Sequence, residues 1–96
     1  MAGTEVFYSR NPGYAMASLG EEIAVLDLDG GSYLGLNVTA SAVWRLLGVP
    51  QTLETLCSHL TDRFAVDENH CKAAVLTLVT RLCEAGLLRK THEPAA

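Results

Sequence analysis

Nowhere does the sequence hold the roughly 18 consecutive apolar residues that a membrane-crossing helix needs. Its longest uncharged stretch, Gly30 to Trp44, is broken by Gly, Ser, Asn and Thr, so a membrane is not an expected partner. Basic charge is scarce as well. Seven Lys and Arg stand against eleven Asp and Glu, for a formal net charge of -4. Phosphate binding depends on clustered cations that release counterions, so nucleic acid is not an expected partner either. The three cysteines, Cys57, Cys71 and Cys83, are odd in number and contain no Cys-x-x-Cys pair, which argues against a zinc site and fits a reducing compartment. Met1-Ala2-Gly3-Thr4-Glu5 lacks a basic segment leading into an apolar one, and Gly3 is misplaced for myristoylation. The expected location is cytoplasmic.

What is present is the balance of a globular chain: 49% hydrophobic and 19% charged among 96 residues, enough for one small domain that buries about two-thirds of its unfolded surface. Residues 1–13 end in Arg10-Asn11-Pro12-Gly13, a turn signal, and read as a flexible N-terminal arm. Tyr14 to Leu19 and Ile23 to Leu28 read as two antiparallel strands. Asp29-Gly30-Gly31 supplies the positive backbone angles of a tight hairpin leading to a third strand, Ser32 to Leu36. The period of a strand puts Leu34 and Leu36 on one face, expected inward, and Tyr33 and Gly35 on the other.

Three helices follow. Asn37 or Thr39 caps the first, whose apolar residues Val43, Trp44, Leu46 and Leu47 recur until Gly48-Val49-Pro50 stops it. Thr52 caps the second, with Leu53, Leu56, Cys57, Leu60 and Phe64 as its buried stripe. Asp67 caps the third and longest, which closes at Gly86, a residue suited to a left-handed terminus. Cys71, Val75, Leu78, Val79, Leu82 and Ala85 form its broad stripe, flanked by Leu76 and Cys83 beside Lys72. Residues 89–96 read as a frayed C-terminal tail.

No residue set points to catalysis. In Cys57-Ser58-His59 adjacent helical side chains do not face one another as nucleophile and base must. Asp27 and Asp29 read as strand-end and turn residues. His59, His70 and His92 match no common metal spacing, so no metal, cofactor or catalytic residue is expected. Asn37-Val38-Thr39 matches a glycosylation pattern that a cytoplasmic chain would not use. A winged-helix DNA-binding regulator is a reading of another class, but its recognition helix, residues 68–85, balances Lys72 and Arg81 with Glu68 and Glu84 and so has no net charge for phosphates.

The order of Leu26-Asp27, Gly31-Ser32-Tyr33, Leu36-Asn37, Thr39, Trp44-Arg45-Leu46-Leu47, Thr52 and Gly86-Leu87-Leu88 resembles the PqqD-like family of peptide-recognition domains, over residues 14–88. The chain departs from the family at Ala74, where members often carry an acidic residue. The resemblance implies an α+β fold, a three-stranded antiparallel sheet followed by three helices in a winged helix-turn-helix-like arrangement, with no chemistry of its own. It implies binding of the leader of a ribosomally made precursor and delivery to a modifying enzyme or leader peptidase, most like the free-standing proteins of lasso-peptide pathways. A peptide chaperone for a radical SAM enzyme is the alternative within the family. The implied cleft lies between the third strand and the third helix. Ser32, Tyr33, Leu34, Gly35 and Leu36 would form its edge, and Lys72, Val75, Leu76 and Val79 its opposite wall. Physics supports such a site, because an edge strand offers unpaired backbone groups that an extended peptide satisfies by adding a strand.

Overall fold

Local turn and capping chemistry sets most of the architecture. The computed structural model describes residues 4–64 and 67–94. Strands β1 (Thr4–Arg10), β2 (Tyr14–Leu19), β3 (Glu22–Asp27) and β4 (Tyr33–Leu36) are followed by α1 (Val38–Leu46), α2 (Leu53–Phe64), α3 (Glu68–Glu84) and β5 (Leu88–Pro94). An antiparallel sheet of order β2-β3-β4 precedes the three helices, as expected, and β1 pairs with β5 in a separate two-stranded ribbon.

The β3–β4 turn is built by Asp27. Its Oδ1 accepts the N–H groups of Asp29 and Gly30, both at 3.0 Å. A Cβ on residue 30 would stand 2.6 Å from Asp27 Oδ2, and Gly31 sits at φ +74°. Gly31 is therefore favoured by its backbone angle, and a side chain at residue 30 would have to displace the Asp27 carboxylate that holds the turn. Asn37 caps α1 by accepting from Ala40 N–H at 2.9 Å, and Asp67 caps α3 by accepting from His70 N–H at 3.0 Å. Thr52 Oγ1 does the same for Thr55 N–H, at 3.2 Å. Leu87 N–H returns to Leu82 C=O at 2.9 Å across Gly86 at φ +82°, a left-handed termination of α3.

The inner face of the sheet, Ile23, Val25 and Leu36, packs on Val43, Trp44, Leu47, Leu56, Leu60, Val75 and Val79. Ser41 of α1 is buried among them and enters the ladder itself. Its hydroxyl accepts from Ile23 N–H at 2.9 Å and donates to Leu36 C=O at 3.1 Å. One side chain thereby satisfies two backbone groups that a buried site would otherwise leave unpaired, and it fixes α1 to the ends of β3 and β4.

The expected loose arm and frayed tail differ from what is found. Thr4 to Arg10 pair with Pro94 to Leu88 in seven consecutive antiparallel positions. Tyr8 is buried and exchanges backbone hydrogen bonds with Gln51 at 2.8 and 3.0 Å. Arg10 stacks over the Trp44 ring, 5.1 Å from its centroid, and its Nε donates to Trp44 C=O at 3.0 Å. Each segment alone carries a weak strand signal; only pairing between the two ends of the chain satisfies both backbones, and no local pattern announces a partner so distant.

Candidate functional site

Strand β4 lies at the edge of its sheet, so one of its two sides faces no other strand. Which groups it leaves free follows from the register, in which Ile23, Ala24, Val25 and Leu26 oppose Leu36, Gly35, Leu34 and Tyr33. At one end Asp27 N–H donates to Ser32 C=O at 2.8 Å. At the other, Ile23 N–H and Leu36 C=O both converge on the Ser41 hydroxyl between them. Bonded and non-bonded pairs alternate along an antiparallel ladder. Ser32, Leu34 and Leu36 therefore turn their backbones toward β3, while Tyr33 and Gly35 turn N–H and C=O outward. Gly35 is exposed, and among the described residues no strand lies beside it on this side.

The side chains beneath the edge are incompletely covered. Leu36 is buried as expected, but Leu34, on the same face as Val25, remains 42% exposed. Two cavities lie along α3, and the smaller of them borders Leu34. The larger, about 410 Å³, lies where α1 begins and is walled by Thr39, Leu60, Phe64, Ala74 and Leu78. The smaller, about 230 Å³, lies at the β3–β4 turn between Tyr14, Asp27, Leu34 and the end of α3 at Ala85 and Leu87. Ala74, Leu78 and Ala85 recur at helical spacing, so one stripe of α3, continued at its C-cap, borders both cavities.

The sequence-predicted residues divide between this region and elsewhere. Ser32, Tyr33 and Leu34 line the smaller cavity; Gly35 is on the edge, and Leu36 forms the floor in the core. Val75 lines the larger cavity while mostly buried. Val79 has 0% exposure and packs wholly in the core. Lys72 faces a different cleft, with Glu54, Thr55, Ser58 and Glu68, and Leu76 is exposed outside both cavities. Sequence reasoning missed Thr39, Phe64 and Ala74 as wall residues, and assigned Leu78 and Ala85 to the core stripe alone. A helical period orders side chains around an axis but does not say which flank meets the sheet; Ala74, small and weakly apolar, gives no signal in such a pattern.

The Cys57 and Cys83 thiols suit packing rather than nucleophilic chemistry. Burial and the neighbouring Cys71 thiol push Cys57 from its ordinary 9.0 up to about 11, and burial also raises Cys83. Thiols held protonated at neutral pH are poor nucleophiles. His59 lines a cleft with Arg45, Leu46 and Arg63, not the one bordered by Cys57. Among the described residues no three His, Cys, Asp or Glu side chains cluster as metal ligands, and no helix is long and apolar enough to cross a membrane.

The outer face of the sheet is also unusual. Antiparallel sheets with one solvated face generally turn polar residues outward. Here the register aligns Ala15 with Leu26, Ala17 with Ala24, Leu26 with Tyr33 and Ala24 with Gly35. Leu19, Leu26 and Tyr33 are exposed on this face among the described residues, and its charged member is Glu22, at the end opposite Leu19.

A family model described as Coenzyme PQQ synthesis protein D (PqqD) matches residues 22–88. Among solved structures, TbiB1 in complex with the TbiA(beta) leader peptide superposes with a TM-score of 0.76 at 23% identity, covering 84% of this chain and 94% of that one. Lasso peptide synthetase B1 complexed with the leader peptide gives 0.75 at 24% identity, covering 85% and 96%. Identities this low show a shared fold. No curated protein matches.

Proposed function

Because the chain belongs to the PqqD family, we propose that it is a non-catalytic recognition protein that binds the leader of a ribosomally synthesised precursor peptide by strand addition to β4 and delivers it to a processing enzyme, as in lasso-peptide biosynthesis. The observation that carries this reading is the pair of outward-facing residues Tyr33 and Gly35 on an open edge beside the half-covered Leu34. A peptide strand there would exchange hydrogen bonds with both residues. Its alternate side chains, opposite Ser32, Leu34 and Leu36, would point toward the two cavities. Backbone pairing supplies affinity whatever the sequence, and the cavities supply selectivity. Solved proteins of this fold are complexes with leader peptides, which supports the same class of ligand here.

The uncovered outer face supports the second half of the reading. An apolar sheet surface suits contact with another protein, and a leader added to β4 would lie continuous with it. An enzyme that covers this face would meet recognition protein and substrate together. The expected docking set is Ser32, Tyr33, Leu34 and Gly35 with Ala74, Val75, Leu78 and Ala85, while Leu36 and Val79 act from the core beneath.

Isotope-labelled protein titrated with synthetic leader peptides of precursors encoded beside its gene tests the site. Amide shifts are expected at residues 32–36 and along 70–85. A response confined to the β1–β5 ribbon or to the Lys72 cleft would sink the assignment.

A further inference from the structure

The smaller cavity differs in chemistry from the larger one. Its walls are apolar at Val25, Leu34 and Leu87, whereas Asp27 brings a carboxylate to its lining. Of that carboxylate, Oδ1 is occupied by the N–H groups of Asp29 and Gly30, and Oδ2 makes no hydrogen bond among the described residues. Nor does any cation stand within ion-pair distance of Asp27 among them; the ion pair present joins Arg63 to Glu21. Arg81, exposed on α3, makes no ion pair with it.

We propose that this cavity receives a basic side chain, Lys or Arg, of the bound peptide, with the aliphatic stem on Leu34 and Leu87 and the charged head at Asp27. The inference rests on the strand-addition reading and deepens it. Long basic side chains are built for such a site, since their stems bury against apolar surface while the charge reaches a polar end, and a charged hydrogen bond is stronger than a neutral one. The geometry also sets spacing. Residues of an added strand that oppose Leu36 and Ser32 both point to the inner face and lie four positions apart, about 13 Å along the strand. The one near Leu36 lies toward Thr39 and the larger, mostly apolar cavity, which His70 also lines; the one near Ser32 faces Asp27. The recognised peptide therefore carries a bulky apolar residue and a basic residue four positions apart.

A display library of random 12-residue peptides, selected in parallel on the full chain and on its Asp27→Asn variant, tests this. Asparagine keeps an oxygen for the turn N–H groups and removes the charge. The natural chain is expected to enrich Lys or Arg four positions from an aromatic or large aliphatic residue, and the variant to lose the basic preference while keeping the apolar one. Replacing the selected Lys by Met in one such peptide should weaken binding to the unsubstituted protein about five- to tenfold at low salt and less than twofold to Asp27→Asn. This peptide-side measurement stands even if the variant folds poorly. Selected peptides that bind at β4 with an apolar anchor and no basic preference would overturn the inference and leave the docking reading intact; selected peptides that bind away from β4 would overturn both.

Discussion

Replacing Gly35 by Pro removes an outward N–H that the fold itself does not use. Residue 35 turns its backbone away from β3, a side chain there meets nothing within 4 Å, and Pro is tolerated on an edge strand when its nitrogen faces outward. Leu34 is already extended, as a residue before Pro must be. Stability should change little. Binding should not survive so well, because the peptide carbonyl that Gly35 would satisfy is left without a donor while still being desolvated. The lost hydrogen bond and the stranded carbonyl together amount to about 2–3 kcal/mol, or roughly a 30- to 150-fold weaker Kd. Leu34→Pro provides the opposite parity. It deletes the N–H that faces Val25, so about 2–3 kcal/mol falls on the fold instead, a loss of roughly 10–20 °C in Tm for a chain this size. Calorimetric titration with a leader peptide, alongside thermal melts by circular dichroism, reads both. Undiminished leader binding by a folded Gly35→Pro protein would refute strand addition at this edge, and a Leu34→Pro protein as stable as the parent would refute the parity itself.

Ser41→Ala should strand the buried Ile23 N–H and Leu36 C=O that now share its hydroxyl, destabilising the protein by about 2–3 kcal/mol; an unfolding free energy from chemical denaturation that falls by less than about 0.5 kcal/mol would show the bridge is dispensable. The Cys57 thiol, raised to about 11, favours the folded state while protonated. Its contribution is therefore full below about pH 9 and lost as pH rises toward 11. The difference in stability between the parent and Cys57→Ala should shrink across that window, and a difference that grows with pH would reverse the sign argued here. Leu26→Glu places charge in the outer apolar face, away from the groove; leader affinity should hold within twofold while leader-dependent association with the processing enzyme falls at least tenfold in a pull-down, and equal association would remove that face from the interface.

Much of this was legible because it is local. Asp27, Gly30 and Gly31 specify their turn within five residues, and Asn37, Thr52, Asp67 and Gly86 each cap or close a helix through contacts three to five residues away. The order of strands and helices followed from those signals. The face of Leu34 and Leu36 was legible too, but not the difference between them, because cover over Leu34 depends on how α3 lies against the sheet. The same rotation decides that Ala74 and Leu78 border the larger cavity while Lys72 faces α2. Edge parity was beyond local reading as well, since a strand's period gives the same side-chain faces whichever residues bond to the neighbour. The register settles it, through the contact of Asp27 with Ser32 and the insertion of Ser41 from a separate helix.

An open edge is a hazard as well as a dock, since unpaired backbone groups recruit any strand. Three features limit that hazard here. Strand β4 has only four residues, too short to template a long pairing. The acidic turn at Asp27 and Asp29 and the net charge of -4 oppose the approach of a second copy. Most of the support for the fold lies elsewhere: Ser41 fastens α1 to the sheet, Arg45 donates to the carbonyls of Gly20 and Glu21 at 3.2 Å, and Arg10 ties the terminal ribbon to Trp44. With the core fixed from those sides, the outer side of β4 can remain unpaired without loosening the molecule. A peptide that fits must then bring both a backbone to complete the edge and side chains to fill what α3 leaves uncovered.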